Sequence, residues 1–169
     1  MIGKANENLF LDLLENNKAQ ILRICAVYSR DEEEKKDMYQ EVLINLWKSL
    51  GSFRGESALS TWVYRVALNT CMQAGIKAKR HSANHEKIES IHFKTVQNDD
   101  ESGEKLERVK QLHACIRQLG DIDKNIVMLS LDELSYKEIA GITGLTENHV
   151  AVRMKRLREK LFNCLNTKL

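Results

Sequence analysis

Residues 134–161 read LSYKEIAGITGLTENHVAVRMKRLREKL, and this stretch decides how the C-terminal part of the chain folds. Ser135 followed three residues later by Glu138 is typical of a capping box, in which each side chain satisfies a backbone amide at a helix start. Gly144 then permits a sharp turn, and Thr146 can cap a second helix that runs to about residue 161. The stretch therefore predicts a short helix, a glycine turn and a longer second helix.

The second of these helices separates apolar from basic side chains. Its apolar residues recur at three and four positions, which predicts an inward-facing stripe of Val150, Met154, Leu157 and Leu161. Its basic residues point elsewhere, and they are Arg153, Lys155, Arg156, Arg158 and Lys160. A helix, a glycine turn and a basic helix form a helix-turn-helix, whose second helix enters the major groove of DNA. The concentration of positive charge favours this interpretation over an ordinary helical hairpin with a solvated face.

Helical spacing also dominates the rest of the chain. An acidic helix start at residues 31–34 leads to a stop near Gly51, a further helix is predicted over 59–79, and helical spacing resumes at Leu106. Residues 80–104 lose this periodicity and include the polar, acidic run QNDDESGE at 97–104, which is typical of a flexible linker. The sequence therefore predicts an all-α protein with two small helical domains, residues 1–79 and 105–169, joined by a flexible linker over 80–104.

Composition narrows the class of protein. The 169 residues carry a formal net charge of +2, and no apolar run reaches the length of about 20 residues that a membrane span needs. The N-terminus has no apolar signal core, so we expect a cytoplasmic protein without membrane insertion. The four cysteines are scattered without a C-x-x-C pair, which favours buried thiols over metal or redox chemistry. No motif of a hydrolase or nucleotide-binding enzyme is present, so we expect no cofactor, no metal and no catalytic activity.

The N-terminal half contains two more distinctive stretches, DMYQEV at 37–42 with Trp47 behind it, and SFRGESALSTWVYRVALN at 52–69. They resemble the second conserved domain of extracytoplasmic-function sigma factors, which has an acidic D-x-x-Q-E helix ending in an aromatic residue, then F-R-G-acidic-S and T-W-apolar-Y-R-I-A-x-N. Residues 134–153 resemble the fourth domain of the same family. The resemblance covers nearly the whole chain except the linker. It implies that core RNA polymerase and promoter DNA are partners, and it allows for a cognate anti-sigma factor.

The resemblance implies that one face of the acidic helix binds a basic coiled coil on the largest polymerase subunit. The residues that match this role are Asp37, Gln40, Glu41 and Trp47. Without the resemblance, Asp37 and Glu41 would be interpreted as a solvated charged face. Trp47 suits an interface because aromatic residues are enriched in hot spots, although core packing remains an alternative.

The following loop and helix are implied to bind the non-template strand of the minus-ten element. The matching residues are Phe53, Arg54, Ser57, Ser60, Thr61, Trp62, Arg65, Asn69, Gln73 and Lys77. Without a nucleotide-hydrolysis motif, melting must draw on binding free energy. Opening costs about 1.4 kcal/mol per stacked step, and a captured base returns about 1–3 kcal/mol. Trp62 either wedges at the duplex edge or belongs to the core.

The resemblance also assigns contacts with the minus-thirty-five element to the second helix of the helix-turn-helix. The matching residues are Asn148, His149, Ala151, Val152, Arg153, Lys155, Arg156 and Arg158. The family commonly has polar or basic residues where this chain has Ala151 and Val152, which puts the usual base contacts there in doubt and allows contact with a thymine methyl group. Arg156 matches a base-reading position, whereas Lys155 and Arg158 suit phosphate contacts.

The sequence argues against three other classes of protein. A response regulator can carry a nearly identical C-terminal half, but it usually has an α/β receiver, and strand-like alternation is scarce here. An enzyme acting on nucleic acid would need a metal-ligand or nucleophile constellation that this sequence lacks. A helical adaptor that binds only protein would not need the basic second helix.

Overall fold

The computed structural model describes residues 4–82 and 103–167, and all regular secondary structure within them is helical. This confirms the prediction of an all-α protein. The chain divides into two compact units, Met1–Glu89 and Ser90–Leu169. In chain order the helices are α1 (Lys4–Tyr28), α2 (Glu32–Leu50), α3 (Leu59–Ser82), α4 (Gly103–Arg117), α5 (Asp121–Leu131), α6 (Tyr136–Thr143) and α7 (Glu147–Thr167).

The N-terminal unit is a bundle in which α1, α2 and α3 all contact one another. Each helix contributes apolar residues at helical spacing to a shared core, with Ile24, Leu46 and Ala67 at most 1% exposed. The carboxylate of Asp31 caps α2 by accepting a hydrogen bond of 2.7 Å from the backbone amide of Glu34. Three glutamates in the first turn of α2 add favourable charge at its positive end.

The C-terminal unit packs α4, α5, α6 and α7 around a smaller core. The sequence did not lead us to predict α5, yet its Ile126–Leu129 run is fully buried. The predicted capping box is confirmed, since the Ser135 hydroxyl accepts from the Glu138 amide and the Glu138 carboxylate accepts from the Ser135 amide at 2.8 Å. Gly144 then has a φ of 76°, a left-handed conformation that favours glycine.

The four cysteines form two pairs of different kinds. Cys25 on α1 and Cys71 on α3 are fully buried thiols whose sulfur atoms lie 3.7 Å apart, as expected for small apolar residues. Cys115 on α4 and Cys164 on α7 instead form a disulfide, so the expectation of plain thiols is wrong for this pair. The reason is that α7 continues beyond the predicted end near residue 161 to Thr167. Cys164 therefore continues the inward stripe and faces α4.

The predicted linker over 80–104 largely lies outside the described residues. α3 extends to Ser82 and α4 begins at Gly103, so both helices reach a few residues into the predicted range. The predicted domain boundaries and the flexibility of the linker stay predictions.

Candidate functional site

One face of α2 carries the side chains expected to bind polymerase. Asp37, Gln40 and Glu41 are exposed on it. Sequence reasoning missed Ile44, which follows Gln40 by four residues and Glu41 by three and is 45% exposed. Spacing along α2 would have revealed it, because positions three and four residues apart share one face of a helix. Within the described residues, the two carboxylates of this face make no ion pair.

Trp47 lies at the end of the same α2 surface but is only partly accessible. Its ring meets Phe10 of α1 edge-on, with ring centroids 4.9 Å apart and an angle of 72° between the planes. The half-buried indole therefore fixes α2 against α1 and still leaves part of its surface for a partner.

A polar face of α3 carries the residues expected to contact the minus-ten strand. Arg65, Asn69, Gln73 and Lys77 are exposed along it, and Thr61 at its start is half-buried. The spacing of four residues keeps these side chains on one slowly winding side of α3. The opposite side, including Ala67 and Cys71, packs into the core. The face is thus held on a rigid helix.

A groove of about 290 Å³ between α2 and α3 brings these two faces together. Asp37 and Glu41 line it from α2, and Gln73 and Lys77 line it from α3. At the α2–α3 contact that lines the groove, the Asn45 side-chain amide donates to the Thr70 hydroxyl at 3.0 Å, and that hydroxyl donates to a backbone carbonyl of α3 at 2.8 Å. The expected polymerase and DNA surfaces are therefore neighbours.

The Glu34 carboxylate lies at the edge of this α2–α3 groove, on the turn before Asp37. It accepts a hydrogen bond from the Arg30 guanidinium at 3.1 Å, and this bond, with the attraction between the two charges, raises the pKa of Arg30. The charge of Glu34 is therefore partly neutralised within the domain.

The loop between α2 and α3 stacks two of the predicted minus-ten residues on each other. The rings of Phe53 and Trp62 have centroids 5.3 Å apart and planes tilted by 50°, and both side chains are half-buried. Gly55 turns the loop with a φ of 72°, in the left-handed region. Trp62 is therefore half-buried against Phe53, and its role at the duplex edge stays a prediction. The remaining predicted loop contacts are half-buried Ser57 and the exposed side chains of Arg54 and Ser60.

The outer face of α7 presents most of the residues expected to contact the minus-thirty-five element. Ala151 and Arg153 are half-buried, and Val152 is 44% exposed. The others are exposed, namely Asn148, His149, Lys155, Arg156 and Arg158. All of these residues thus lie on α7, but their side chains differ in solvent exposure.

Two of the basic side chains on α7 are engaged within the domain. Arg153 pairs with Asp123 of α5 at 2.6 Å, and the two side chains are 42% and 22% exposed. The Arg158 guanidinium donates to the Tyr136 hydroxyl of α6 at 3.2 Å. Asp123 was missed because it lies in a helix that the sequence had not led us to predict. Arg156 and Lys160 line a groove of about 370 Å³ beside Asp123.

The described residues contain no group of acidic, histidine or cysteine side chains arranged to hold a metal ion. None of their helices is long and apolar enough to cross a bilayer.

Comparison with known proteins assigns both units. The sigma-70 region 2 family matches residues 13–81, and the sigma-70 region 4 family matches residues 110–161. The RNA polymerase sigma-H factor of Pseudomonas aeruginosa is 27% identical over 173 residues, covering 97% of this chain and 90% of the relative. The ECF RNA polymerase sigma-E factor of Escherichia coli is 33% identical over 143 residues, covering 75% of this chain and 71% of the relative.

Solved structures share the fold. The sigma factor RpoE, crystallised with the anti-sigma factor NepR from Bartonella quintana, has a TM-score of 0.74 and 19% identity, with 97% of this chain and 98% of that chain covered. CnrH in complex with the cytosolic domain of CnrY has a TM-score of 0.71 and 17% identity, with 96% and 91% covered. With both sigma domains matched in order and a sigma-E relative above 30% identity, this chain belongs to the extracytoplasmic-function sigma factors.

Proposed function

We propose that this sigma factor divides its work between the two units, with polymerase binding and strand capture in the first and upstream-element reading in the second. As a member of its family, the chain is a promoter-specific transcription initiation factor that binds core RNA polymerase and promoter DNA, and not an enzyme. The observation that carries the placement of polymerase binding and strand capture in one unit is the groove at which the α2 and α3 faces meet.

Polymerase binds the α2 face through Asp37, Gln40, Glu41 and the newly found Ile44. An exposed apolar side chain surrounded by polar ones is the arrangement of an interface hot spot, since the polar ring excludes water from the apolar contact. The carboxylates complement a basic partner surface and speed its encounter. Trp47 extends the contact with the part of its ring that Phe10 leaves accessible.

Strand capture occurs on α3, beside this α2 face. Arg65 and Lys77 suit phosphate contacts, and Asn69 suits the edge of an unpaired base. The paired rings of Phe53 and Trp62 offer an aromatic surface on which a base can stack. Because the strand would lie next to the polymerase-binding face, captured bases are held close to the enzyme that uses them.

Upstream reading occurs on α7. Arg156 is exposed and can reach a guanine edge, while Val152 can contact a thymine methyl group. Lys155 suits a phosphate contact. Arg153 acts by holding α7 against α5 through Asp123, because its guanidinium is already paired within the domain.

Since the similar solved sigma factor RpoE was co-crystallised with the anti-sigma factor NepR, a cognate inhibitor that covers the polymerase-binding surface is proposed for this chain too. Its site of action is the cytoplasm, the compartment that contains RNA polymerase and the chromosome.

Charge reversal on α2 tests the proposal. The double variant D37K/E41K should compete at least tenfold less well for core polymerase, because two attractive charges become repulsive. The matched control is D12K/E15K, which reverses two exposed carboxylates on α1, outside the proposed surface. Both variants should keep their helical circular dichroism. If D37K/E41K binds core polymerase as well as the control does, polymerase binding does not reside on this face.

A further inference from the structure

The disulfide between Cys115 and Cys164 joins the first helix of the C-terminal unit to the helix that carries the upstream contacts. Its two Cα atoms are 6.1 Å apart, within the usual range for this bond, and the cysteines are 49 residues apart in the chain. Cys164 lies two turns beyond Arg156, on the part of α7 that faces α4. Formation or cleavage of this disulfide therefore affects α7, the helix that reads DNA.

Thiols in the cytoplasm are kept reduced, and disulfides found there in mesophilic proteins are usually transient and act in catalysis or redox sensing. We propose that Cys115 and Cys164 form a reversible redox modification site, at which a hydroperoxide oxidises two thiols to the disulfide and thereby stabilises the fold that presents α7 to DNA. The inference rests on the proposed function, which places the chain in the cytoplasm beside RNA polymerase.

The chemistry balances with hydrogen peroxide as the oxidant. The Cys164 thiolate attacks one peroxide oxygen, the O–O bond breaks, and hydroxide leaves and takes up a proton, which gives a sulfenic acid and water. The Cys115 sulfur then attacks the sulfenic sulfur, so that the S–S bond forms, the S–O bond breaks and a second water leaves with the thiol proton. Two thiols lose two electrons in total, and one peroxide gains them. Cys164 reacts first because it is half-buried, whereas Cys115 is 2% exposed.

The second cysteine pair provides an internal comparison. Cys25 and Cys71 are also close, with sulfur atoms 3.7 Å apart, but both are 0% exposed in the core between α1 and α3. Their mutual hydrogen bond, followed by burial, raises the pKa of the Cys71 thiol, which suppresses the reactive thiolate. Two sulfur atoms that lie close together are thus not sufficient for a redox site in this protein. The two cysteine pairs differ in the solvent exposure of their side chains.

Bond formation restricts the unfolded chain more than the folded one. Closing a loop of about 50 residues is expected to lower the unfolded population of the C-terminal unit by roughly a thousandfold. The small core of this unit gives the bond a large relative effect, since small domains have little stability in excess. Oxidation therefore increases the fraction of chains in which α7 is folded against α4 and can bind the upstream element.

The test begins with the full chain reduced by dithiothreitol, freed of reductant and titrated with hydrogen peroxide. Peptide mass spectrometry should show the Cys115–Cys164 bond forming at least tenfold faster than any product of Cys25 or Cys71. Amide hydrogen exchange of α4 to α7 should then slow by up to about a thousandfold and return on adding reductant, whereas exchange of α1 to α3 stays unchanged. Faster oxidation of the buried pair, or no change in exchange on bond formation, would overturn the proposal.

Two variants distinguish the effect of the Cys115–Cys164 bond from the effect of oxidation elsewhere in the chain. C164S should lose the peroxide response of the C-terminal helices, and C25A/C71A should keep it. In transcription with core polymerase, peroxide should increase initiation from a promoter that depends on its upstream element, and C164S should not respond. If no form of the protein directs initiation while the exchange response is intact, the proposed function fails and the redox site stands. If initiation is normal but insensitive to peroxide in the wild type, the regulatory role fails.

Discussion

The N-terminal and C-terminal units both pack helices around an apolar core, but the other contacts that stabilise them differ. In the first, three long helices all contact one another, and Cys25 and Cys71 are buried thiols in the core that these helices share. In the second, four helices surround a smaller core and are stabilised by a disulfide, by the Asp123–Arg153 ion pair and by a capping box. A small domain that presents one helix precisely relies on specific connections, because its apolar core alone contributes little stability.

The comparison predicts, as its largest effect, that reduction destabilises only the C-terminal unit. In urea, cleavage of the Cys115–Cys164 bond should lower that unit's free energy of unfolding by about 4 kcal/mol, the entropy cost of the loop that the bond closes. The N-terminal unit should unfold at the same urea concentration in both states, as monitored by Trp47 and Trp62, which both lie in it. A shift in this tryptophan signal on reduction would show that the two units are not independent.

A second prediction concerns the DNA surface of the N-terminal unit. Asn69→Ala and Arg65→Ala should leave core-polymerase binding unchanged and reduce open-complex formation, because the first loses a contact with a captured base and the second a contact with its phosphate. Permanganate reactivity of unpaired thymines measures the effect, and Lys18→Ala on exposed α1 is the control. Templates with a pre-opened bubble should partly restore both variants. Full melting by Asn69→Ala and Arg65→Ala would exclude the α3 face.

A third prediction separates two arginines of α7. Arg156→Ala should flatten preference at one or two base pairs of the upstream element, by about 1–3 kcal/mol. Arg153→Gln should instead weaken binding to all sequences modestly, and Asp123→Asn should have the same effect, because a partly exposed ion pair contributes up to about 1 kcal/mol. Initiation across a library of upstream sequences, repeated at several salt concentrations, measures both.

The salt dependence of binding identifies which role Arg153 has. If Arg153 contacts phosphate, its loss should reduce the slope of log affinity against log salt by about 0.9, whereas Asp123→Asn should not. Equal slopes for Arg153→Gln, Asp123→Asn and the wild type would support the positioning role.

The smallest effect is expected at the capping box. Ser135→Ala should destabilise the C-terminal unit by about 1 kcal/mol, because two amides at the start of α6 lose their partner or its orientation. Hydrogen bonds from the Ser135 side chain, and then from its backbone, lower the pKa of Glu138 from its ordinary 4.5. The Glu138 contribution is therefore complete above that value and is lost as the pH falls through the lower folded-state pKa. Urea unfolding from pH 6 downward should show the difference between wild type and variant shrinking below about 4.5.

The sequence by itself determined the helical fold, the capping box, the glycine turn and the resemblance that led to the family. These features depend on residues close together in the chain, so that local spacing and capping chemistry specify them. Ser135 and Glu138, for example, lie three residues apart and form their bonds within a single helical turn. The exposed residues on α3 likewise follow from a spacing of four along one helix.

Only the tertiary structure decided which distant side chains meet. Asp123 and Arg153 are 30 residues apart, and Cys115 and Cys164 are 49 apart, so neither spacing carries a periodic signal. The first contact depends on α5, which was not predicted because its buried residues include the continuous apolar run Ile126–Leu129, a run that does not by itself distinguish a helix from a strand. The second depends on the last turns of α7, because helix ends depend on packing. The groove that joins the α2 and α3 faces likewise exists only because the two helices pack side by side.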